Sequence, residues 1–183
     1  MPDVTEVTAG MPNISGYIYR APLGTTLPTT ADETLNAAFE DMGFISEEGV
    51  TEASGFESVD IKDWGGSSIL NILSNRSSDF KAKFVSAYNT EVLKMLFGEE
   101  NVSGSLAAGL AVVVNTKDLT PASYVIEMIG SGNELIRFVL PNAVPSAIGD
   151  ITYVKNDAIK FDTTLHCMTD ESGNSQYKYF KSA

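Results

Sequence analysis

The chain has 183 residues, of which 43% are hydrophobic, and it carries a formal net charge of −12 at pH 7. This length and apolar content fit one domain with a core, so we expect a single domain over residues 1–183. Twelve bases against 24 acids exclude tight nucleic-acid binding, which needs a basic surface, and a single cysteine excludes a disulfide within the chain.

The first residues lack the features of a targeting segment. Residues 1–13 have neither the basic nor the apolar part of a signal peptide, and we predict that they form a flexible arm. Residues 14–20 alternate with isoleucine and tyrosine, which is typical of a strand. Residues 21–29 contain two prolines and a glycine and are predicted to be a loop. No apolar run approaches the roughly 20 residues of a membrane span, so no membrane partner is expected.

A short helix is predicted next, over residues 30–42. Thr30 and Glu33 have the spacing of a capping box, in which each side chain bonds the amide of the other residue. The apolar residues that follow at helical spacing are Leu35, Ala38 and Phe39. Gly43 stands where a helix commonly ends in a left-handed glycine.

A long acidic segment, residues 43–66, follows this predicted helix. We predict an excursion from a β scaffold whose two ends form strands, because its apolar content is too low for a core. It holds one base, Lys62, and six acids: Glu47, Glu48, Glu52, Glu57, Asp60 and Asp63. Residues 1–63 contain twelve acids and two bases, so most of the excess charge lies in this third of the chain. Trp64, the only tryptophan, fits either a core residue or an interface anchor.

The middle of the chain is predicted to hold a hairpin and a helix. Residues 67–75 and 79–88 have strand patterns, and the polar residues 75–78 between them indicate a turn. Asn89 then precedes an amphipathic segment, residues 90–97, and is an expected helix cap. We therefore predict an antiparallel hairpin followed by a capped helix.

The last part of the chain is predicted to be almost entirely β. Residues 102–115 have the composition of a buried strand, and residues 124–140 form a hairpin with a glycine-containing turn. Two prolines within residues 141–145 indicate an edge or a bulge. Residues 158–168 alternate over a long strand, and residues 176–180 are expected to close a final hairpin with it. The predicted fold class is mainly β, a sandwich or half-open barrel with one or two short flanking α-helices.

No cluster of side chains indicates catalysis, a cofactor or a metal site. His166 and Cys167 are the only residues of their types, and as neighbours on a strand they point to opposite faces. A Cys–His nucleophile pair is therefore not expected, and a zinc site lacks ligands. The acids lie on polar turns, where solvated carboxylates are the simplest interpretation and a divalent-cation site is a minor alternative.

The order of these segments resembles the major tail proteins, or tail tube subunits, of long-tailed, siphovirus-like bacteriophages. The motifs that carry the resemblance lie at residues 16–28, 43–49, 61–66, 80–98, 140–143 and 149–153, before the strand at 158–165. None of these motifs is specific alone, but their order and spacing together are characteristic. The resemblance covers about residues 14–168.

The resemblance implies a structural virion protein rather than an enzyme. It implies hexameric rings that stack into a tube, with tape measure, tail terminator and baseplate proteins as partners and with DNA passing through the lumen without specific binding. It also implies assembly in the host bacterial cytoplasm and residence in the virion tail. Residues 46–64 are then expected to be an inter-subunit loop, with the six acids and Trp64 as its contact residues.

Three other interpretations are weighed against the tube subunit. One is a secretion-system tube protein of the same fold. Another is a virion-surface β-sandwich that binds a carbohydrate or a receptor, which would need an exposed aromatic platform. An enzyme is the least supported, for want of a nucleophile–base pair or a ligand set.

Overall fold

The computed structural model describes residues 6–13 and 17–182, and within them it confirms the predicted mainly β fold. The strands are β1 (Met11–Pro12), β2 (Ile18–Pro22), β3 (Glu40–Asp41), β4 (Ile45–Lys62), β5 (Ser68–Phe84), β6 (Val102–Ser105), β7 (Gly109–Val112), β8 (Ala122–Ile129), β9 (Leu135–Ile148), β10 (Phe161–Cys167) and β11 (Tyr177–Lys181). The helix α1 (Thr90–Phe97) is followed by a short 3₁₀ turn, Glu99–Asn101. Residues 1–5 of the predicted N-terminal arm lie outside the described residues, and Met11–Pro12 pair with β8.

Nine strands form one branched sheet in the order β3-β2-β8-β9-β10-β5-β4, with β1 beside β8 and β11 beside β9. β9 is the centre of this sheet, because β8 lies along one of its edges and β11 and then β10 lie along the other. The predicted final hairpin is therefore wrong: β11 pairs with β9 rather than with β10. Both edges of β10 are already occupied by β9 and β5, whereas residues 135–139 of β9 offer a free edge.

The core lies on both faces of the central strands. On one face, side chains from β2, β5, β8, β9 and β10 pack around α1. On the opposite face, Val125 and Val139 pack against Ala21 and Phe39, so the segment between β2 and β3 covers the sheet. Residues 122–127 of β8 are consequently buried throughout, as expected for a strand covered on two sides.

Helix α1 forms as the sequence predicts, because its capping signal agrees with its packing. The Asn89 Oδ1 atom accepts hydrogen bonds from the amides of Glu91 (2.9 Å) and Val92 (3.2 Å). The Asn89 Nδ2 atom donates to the Asp41 carbonyl at 2.9 Å, which ties the start of the helix to β3. Gly98 ends the helix at φ 98°, a left-handed conformation that glycine adopts without strain.

We expect the Asn89→Ala variant to lose about 1–2 kcal/mol of unfolding free energy, because Asn89 caps α1 and also bonds Asp41. Urea denaturation followed by far-UV circular dichroism measures this loss. Asn156→Ala, in an exposed turn, is the matched control and should change the unfolding free energy by less than about 0.5 kcal/mol. Equal effects of the two substitutions would contradict the capping role.

The helix predicted at residues 30–42 does not form, and this segment consists of bends and turns before β3. Arg137 Nη1 donates to the carbonyls of Thr30 (2.8 Å) and Glu33 (2.7 Å), two acceptors that a helix would need for its own amides. Glu33 does reach back, but to the amide of Thr29 at 2.7 Å rather than to Thr30. The local capping signal is real, and a tertiary contact overrides it.

Two buried arginines connect the sheet to the segments that pack on its faces. On β9, Arg137 is 5% exposed and pairs with Glu127 of β8, with Nε donating to Oε1 at 3.0 Å. On β2, Arg20 donates to Glu91 and Glu99 at 3.0 Å each, which holds the helix and its 3₁₀ extension against the strand. Each guanidinium joins elements far apart in the sequence.

The prolines at residues 141 and 145 do not end β9, which continues to Ile148. The predicted bulge is confirmed, since the register of β9 shifts against β8 between Ala122 and Tyr124, and against β10 between Thr164 and Leu165. These irregularities accommodate residues that have no amide proton to donate to a neighbouring strand.

Candidate assembly site

The acidic segment forms one strand of a long β-hairpin made of β4 and β5. The two strands meet at a turn over residues 63–67, and their pairing continues from Lys62 opposite Ser68 to Val50 opposite Ala82. The turn predicted at residues 75–78 is therefore wrong, because these residues lie within β5. Their polar side chains suggested a turn, but Asn75 and Arg76 are exposed strand residues and Ser78 is a buried polar residue of the strand.

The outer part of this hairpin, residues 56–76, is called here the distal hairpin, and every residue in it is exposed. At about 3.3 Å per residue, its paired strands extend roughly 20 Å from the rest of the sheet. Eight of its large apolar side chains are each at least 42% exposed: Phe56, Val59, Ile61, Trp64, Ile69, Leu70, Ile72 and Leu73. Exposed apolar surface of this extent is typical of sites that contact another molecule, so the distal hairpin is a candidate for such a site.

The two faces of the distal hairpin differ in polarity. Val59 lies opposite Ile72 and Ile61 opposite Leu70, and such cross-strand pairs share an apolar face. The other face is mixed: Asn71 Nδ2 donates to Asp60 Oδ1 at 2.5 Å and to the Ser58 hydroxyl at 3.1 Å, but the exposed Leu73 lies opposite Ser58. One face of the hairpin is therefore suited to apolar contact, and the other carries both polar and apolar side chains.

Trp64 lies at the tip of the hairpin with its side chain fully exposed, at 104% relative exposure. The interpretation of Trp64 as a core residue is therefore wrong, and it does not lie where the segment rejoins the sheet. The turn that presents it is closed by the Asp63 amide donating to the Ser67 carbonyl at 2.9 Å and by Asp63 Oδ1 accepting from the Ser67 amide at 2.8 Å. The tip is a defined turn that projects the indole ring into solvent.

Glu52 lies at the base of the hairpin and binds the C-terminal strand. Its carboxylate accepts from Gln176 Nε2 at 2.7 Å and from Lys178 Nζ at 2.5 Å. Burial opposes ionisation of Glu52, but the hydrogen bonds from Gln176 and Lys178 outweigh it and lower the pKa of Glu52. This contact within the chain fixes the root of the hairpin.

The remaining predicted contact acids divide into paired and unpaired groups. Glu48 pairs with Lys83 at 2.7 Å, and Asp60 and Asp63 accept the hydrogen bonds described above. Glu47 and Glu57 have no side-chain partner among the described residues, which leaves both carboxylates free to meet another molecule. The whole hairpin from β4 to β5 holds seven acids and four bases, so β5 offsets much of the charge of β4.

A second apolar surface, called here the α1 groove, lies beside the helix and has a volume of about 420 Å³. Its lining residues are Ala87, Tyr88, Leu93, Phe97, Leu106, Leu110, Val112, Val114, Tyr153, Ile159 and Phe161. One wall is the short hairpin of β6 and β7, where a buried strand was predicted over residues 102–115. That prediction is wrong: Gly104 and Gly109 have φ of 83° and 105°, and Val114 is 75% exposed.

His166 and Cys167 lie on opposite faces of β10, as predicted. Cys167 is buried, and burial raises the pKa of its thiol to about 12, so the thiol is neutral and unreactive. His166 Nδ1 lies 2.7 Å from Asp79 Oδ1 across the strands. In the part of the chain that the structure describes, no three His, Cys, Asp or Glu residues are grouped to hold a metal ion, and no helix is long and apolar enough to cross a membrane.

Two solved structures show similarity over 100% of this chain and 100% of their own. One is the cryo-EM structure of the anti-feeding prophage cap, described as a tube terminating cap, with 9% identity and a TM-score of 0.47. The other is the cryo-EM structure of an extracellular contractile injection system, a PVC sheath–tube complex in the extended state, with 10% identity and a TM-score of 0.47. No curated protein sequence matches the chain.

A family model described as phage tail tube protein matches residues 4–183, nearly the whole chain. The match confirms the resemblance to tail tube subunits that the order of the sequence motifs indicated. It also confirms the prediction that the chain is not an enzyme, because the family is one of structural proteins. The chain belongs to the phage tail tube protein family, whose members are structural components of the phage tail.

Proposed function

We propose that the chain polymerises as stacked hexameric rings into the tail tube of a siphovirus-like phage, and that DNA reaches the host through this tube. The observation that carries the proposal is the distal hairpin, whose 21 residues are all exposed although eight of their side chains are large and apolar. Exposing this much apolar surface to water is unfavourable, so we infer that another subunit covers the hairpin in the assembly. Residues 46–64 act in this proposal as the inter-subunit arm, together with their partner strand β5.

The edge strand β4 also supports assembly, by pairing with a strand of another subunit. β4 is the terminal strand of the sheet order, so its outer edge has no strand partner among the described residues. Unpaired edges attract other strands, which is a liability in a monomer and useful in a subunit designed to pair. A ring needs one contact that closes and a tube needs another that propagates, and the outer edge of β4 and the apolar face of the distal hairpin offer two different surfaces for them.

The proposed passage of DNA agrees with the charge of the chain. A net charge of −12 repels phosphates, and the 12 bases are outnumbered by 24 acids, so few counterions would be displaced and DNA should slide rather than adhere. We expect assembled protein to retain no DNA on a filter at low salt. Retention that falls steeply with added salt would contradict this part of the proposal.

The other components of the proposal follow from the family. Tape measure, tail terminator and baseplate proteins are the proposed partners, and the host bacterial cytoplasm is the proposed place of assembly before the protein joins the virion tail. The alternative of a carbohydrate- or receptor-binding module predicts a stable monomer.

Negative-stain electron microscopy of the purified protein tests polymerisation. We expect rings or hollow tubes whose number rises with protein concentration. A species that stays monomeric in sedimentation velocity at the highest accessible concentration would contradict the proposal and favour the binding-module alternative.

A further inference from the structure

We propose that Trp64, at the tip of the distal hairpin, inserts into the α1 groove of a second copy of the chain. This inference rests on the proposed function, since it names the surface that receives the hairpin in the assembly. Trp64 is the only tryptophan, and its side chain is fully exposed. Tryptophan is the residue type most typical of an anchor that fills a pocket on a partner.

The groove has the chemistry to receive an indole ring. All of its lining side chains are aliphatic or aromatic, and the tyrosine hydroxyls are the only side-chain polar groups among them. Its volume of about 420 Å³ exceeds that of one tryptophan side chain, so the neighbouring apolar residues of the hairpin can enter with it. The walls remain exposed in the free chain, with Leu106 at 64% and Tyr153 at 73%.

The occupant of the groove must come from another molecule. Among the described residues, no hydrogen bond, ion pair or ring contact joins the tip to the rest of the fold, and the paired strands hold the tip away from the body. Members of the family to which the chain belongs assemble into a tube, so another copy of the chain is present as a partner.

The two surfaces also have the relationship that a polymer requires. The tip and the groove are different patches of the molecule, so a one-way contact between them is heterologous and leaves a free tip at one end and a free groove at the other. A contact of this one-way kind continues from subunit to subunit, as a ring or a tube requires.

The test uses substitutions on each side of the proposed contact in the full chain. Trp64→Glu alters the tip, and Leu106→Glu combined with Val114→Glu alters the groove at exposed positions. Val113→Glu is the matched control for the groove, because Val113 is 59% exposed and adjacent to Val114 but does not line it. Trp64→Phe is the control for the tip, because it keeps an aromatic ring. Circular dichroism establishes that each variant is folded.

We expect the Trp64→Glu variant and the groove variant each to raise the concentration needed for polymerisation roughly 30-fold or more, as for a hot-spot residue. The two control variants should polymerise like the unaltered chain. Mixing the tip variant with the groove variant should restore association that neither shows alone, since an intact groove then meets an intact tip. Sedimentation velocity measures all of these outcomes.

The inference would be overturned if the groove variant polymerised at the same concentration as the unaltered chain. It would also be overturned if the mixture of the tip and groove variants stayed monomeric. These outcomes leave the proposed function intact as long as the unaltered chain forms tubes. Failure of the unaltered chain to polymerise would instead contradict the proposed function itself, so the two failures are distinguishable.

Discussion

A chain that lacks residues 58–74, with Glu57 joined to Asn75 by an Asn-Gly turn, is expected to be a folded monomer that forms no tubes. Glu57 and Asn75 are opposite each other in the hairpin, so a two-residue turn closes the shortened strands without moving the base. Every deleted residue is exposed, and the core clusters contain none of them. The deletion therefore removes apolar surface available for contact and leaves the fold unchanged.

Sedimentation velocity and far-UV circular dichroism measure this result against the full chain. Ser58→Ala, which removes one hydroxyl of the distal hairpin and none of its apolar surface, is the matched control and should polymerise normally. Tubes formed by the shortened chain would contradict the role of the hairpin in assembly. An unfolded shortened chain would contradict the structural claim that the distal hairpin lies outside the folded core.

The Arg137→Met variant is expected to lose about 3–5 kcal/mol of unfolding free energy, the largest loss that we expect from a single substitution in this chain. The substitution leaves the buried Glu127 carboxylate without its cation, because Arg137 supplies both hydrogen bonds to Glu127 Oε1. It also removes the donor that holds the carbonyls of Thr30 and Glu33, and with them the coil that covers one face of the sheet.

Urea denaturation of the monomeric chain measures the loss. Lys117→Met is the matched control, since the pair of Lys117 with Glu100 is exposed at 68% and 83%, and its loss should change stability by less than about 1 kcal/mol. Combining Arg137→Met with Glu127→Met should recover part of the loss, because no buried charge is then left unpaired. Similar effects of Arg137→Met and Lys117→Met would contradict the account of the buried pair.

The two predicted helices show when the local sequence is enough to predict a helix. Around Asn89 the cap, the apolar stripe and the tertiary packing agree, so α1 forms as predicted. At residues 30–42 the same kinds of signal are present, but Arg137 comes from about 100 residues away to take the carbonyls. Nothing local to the segment indicates that contact, although an arginine within an apolar strand is a signal that a buried partner exists.

The hairpin shows why the candidate site was only partly predictable. The acids and Trp64 were identified from the sequence, but a turn was wrongly predicted within their partner strand, β5. An exposed strand does not need alternating apolar residues, so the sequence pattern did not show that the strand continues. A deletion chosen from sequence alone, residues 52–60, would remove half of β4 without its partner residues on β5, and would remove the Glu52 anchor to Lys178. The α1 groove was not predicted, because the run of valines in residues 102–115 is typical of a buried strand. In the structure, turns at glycines place these valines at the surface.

The emission of Trp64 during polymerisation tests the central claim, that the tip of the distal hairpin is covered by another subunit in the tube. Because this is the only tryptophan, the unaltered chain reports on that one site. We predict that its emission shifts to shorter wavelength, and that its quenching by acrylamide falls, in step with light scattering as tubes form. Tubes that form while Trp64 keeps the emission and the quenching of the monomer would contradict the claim.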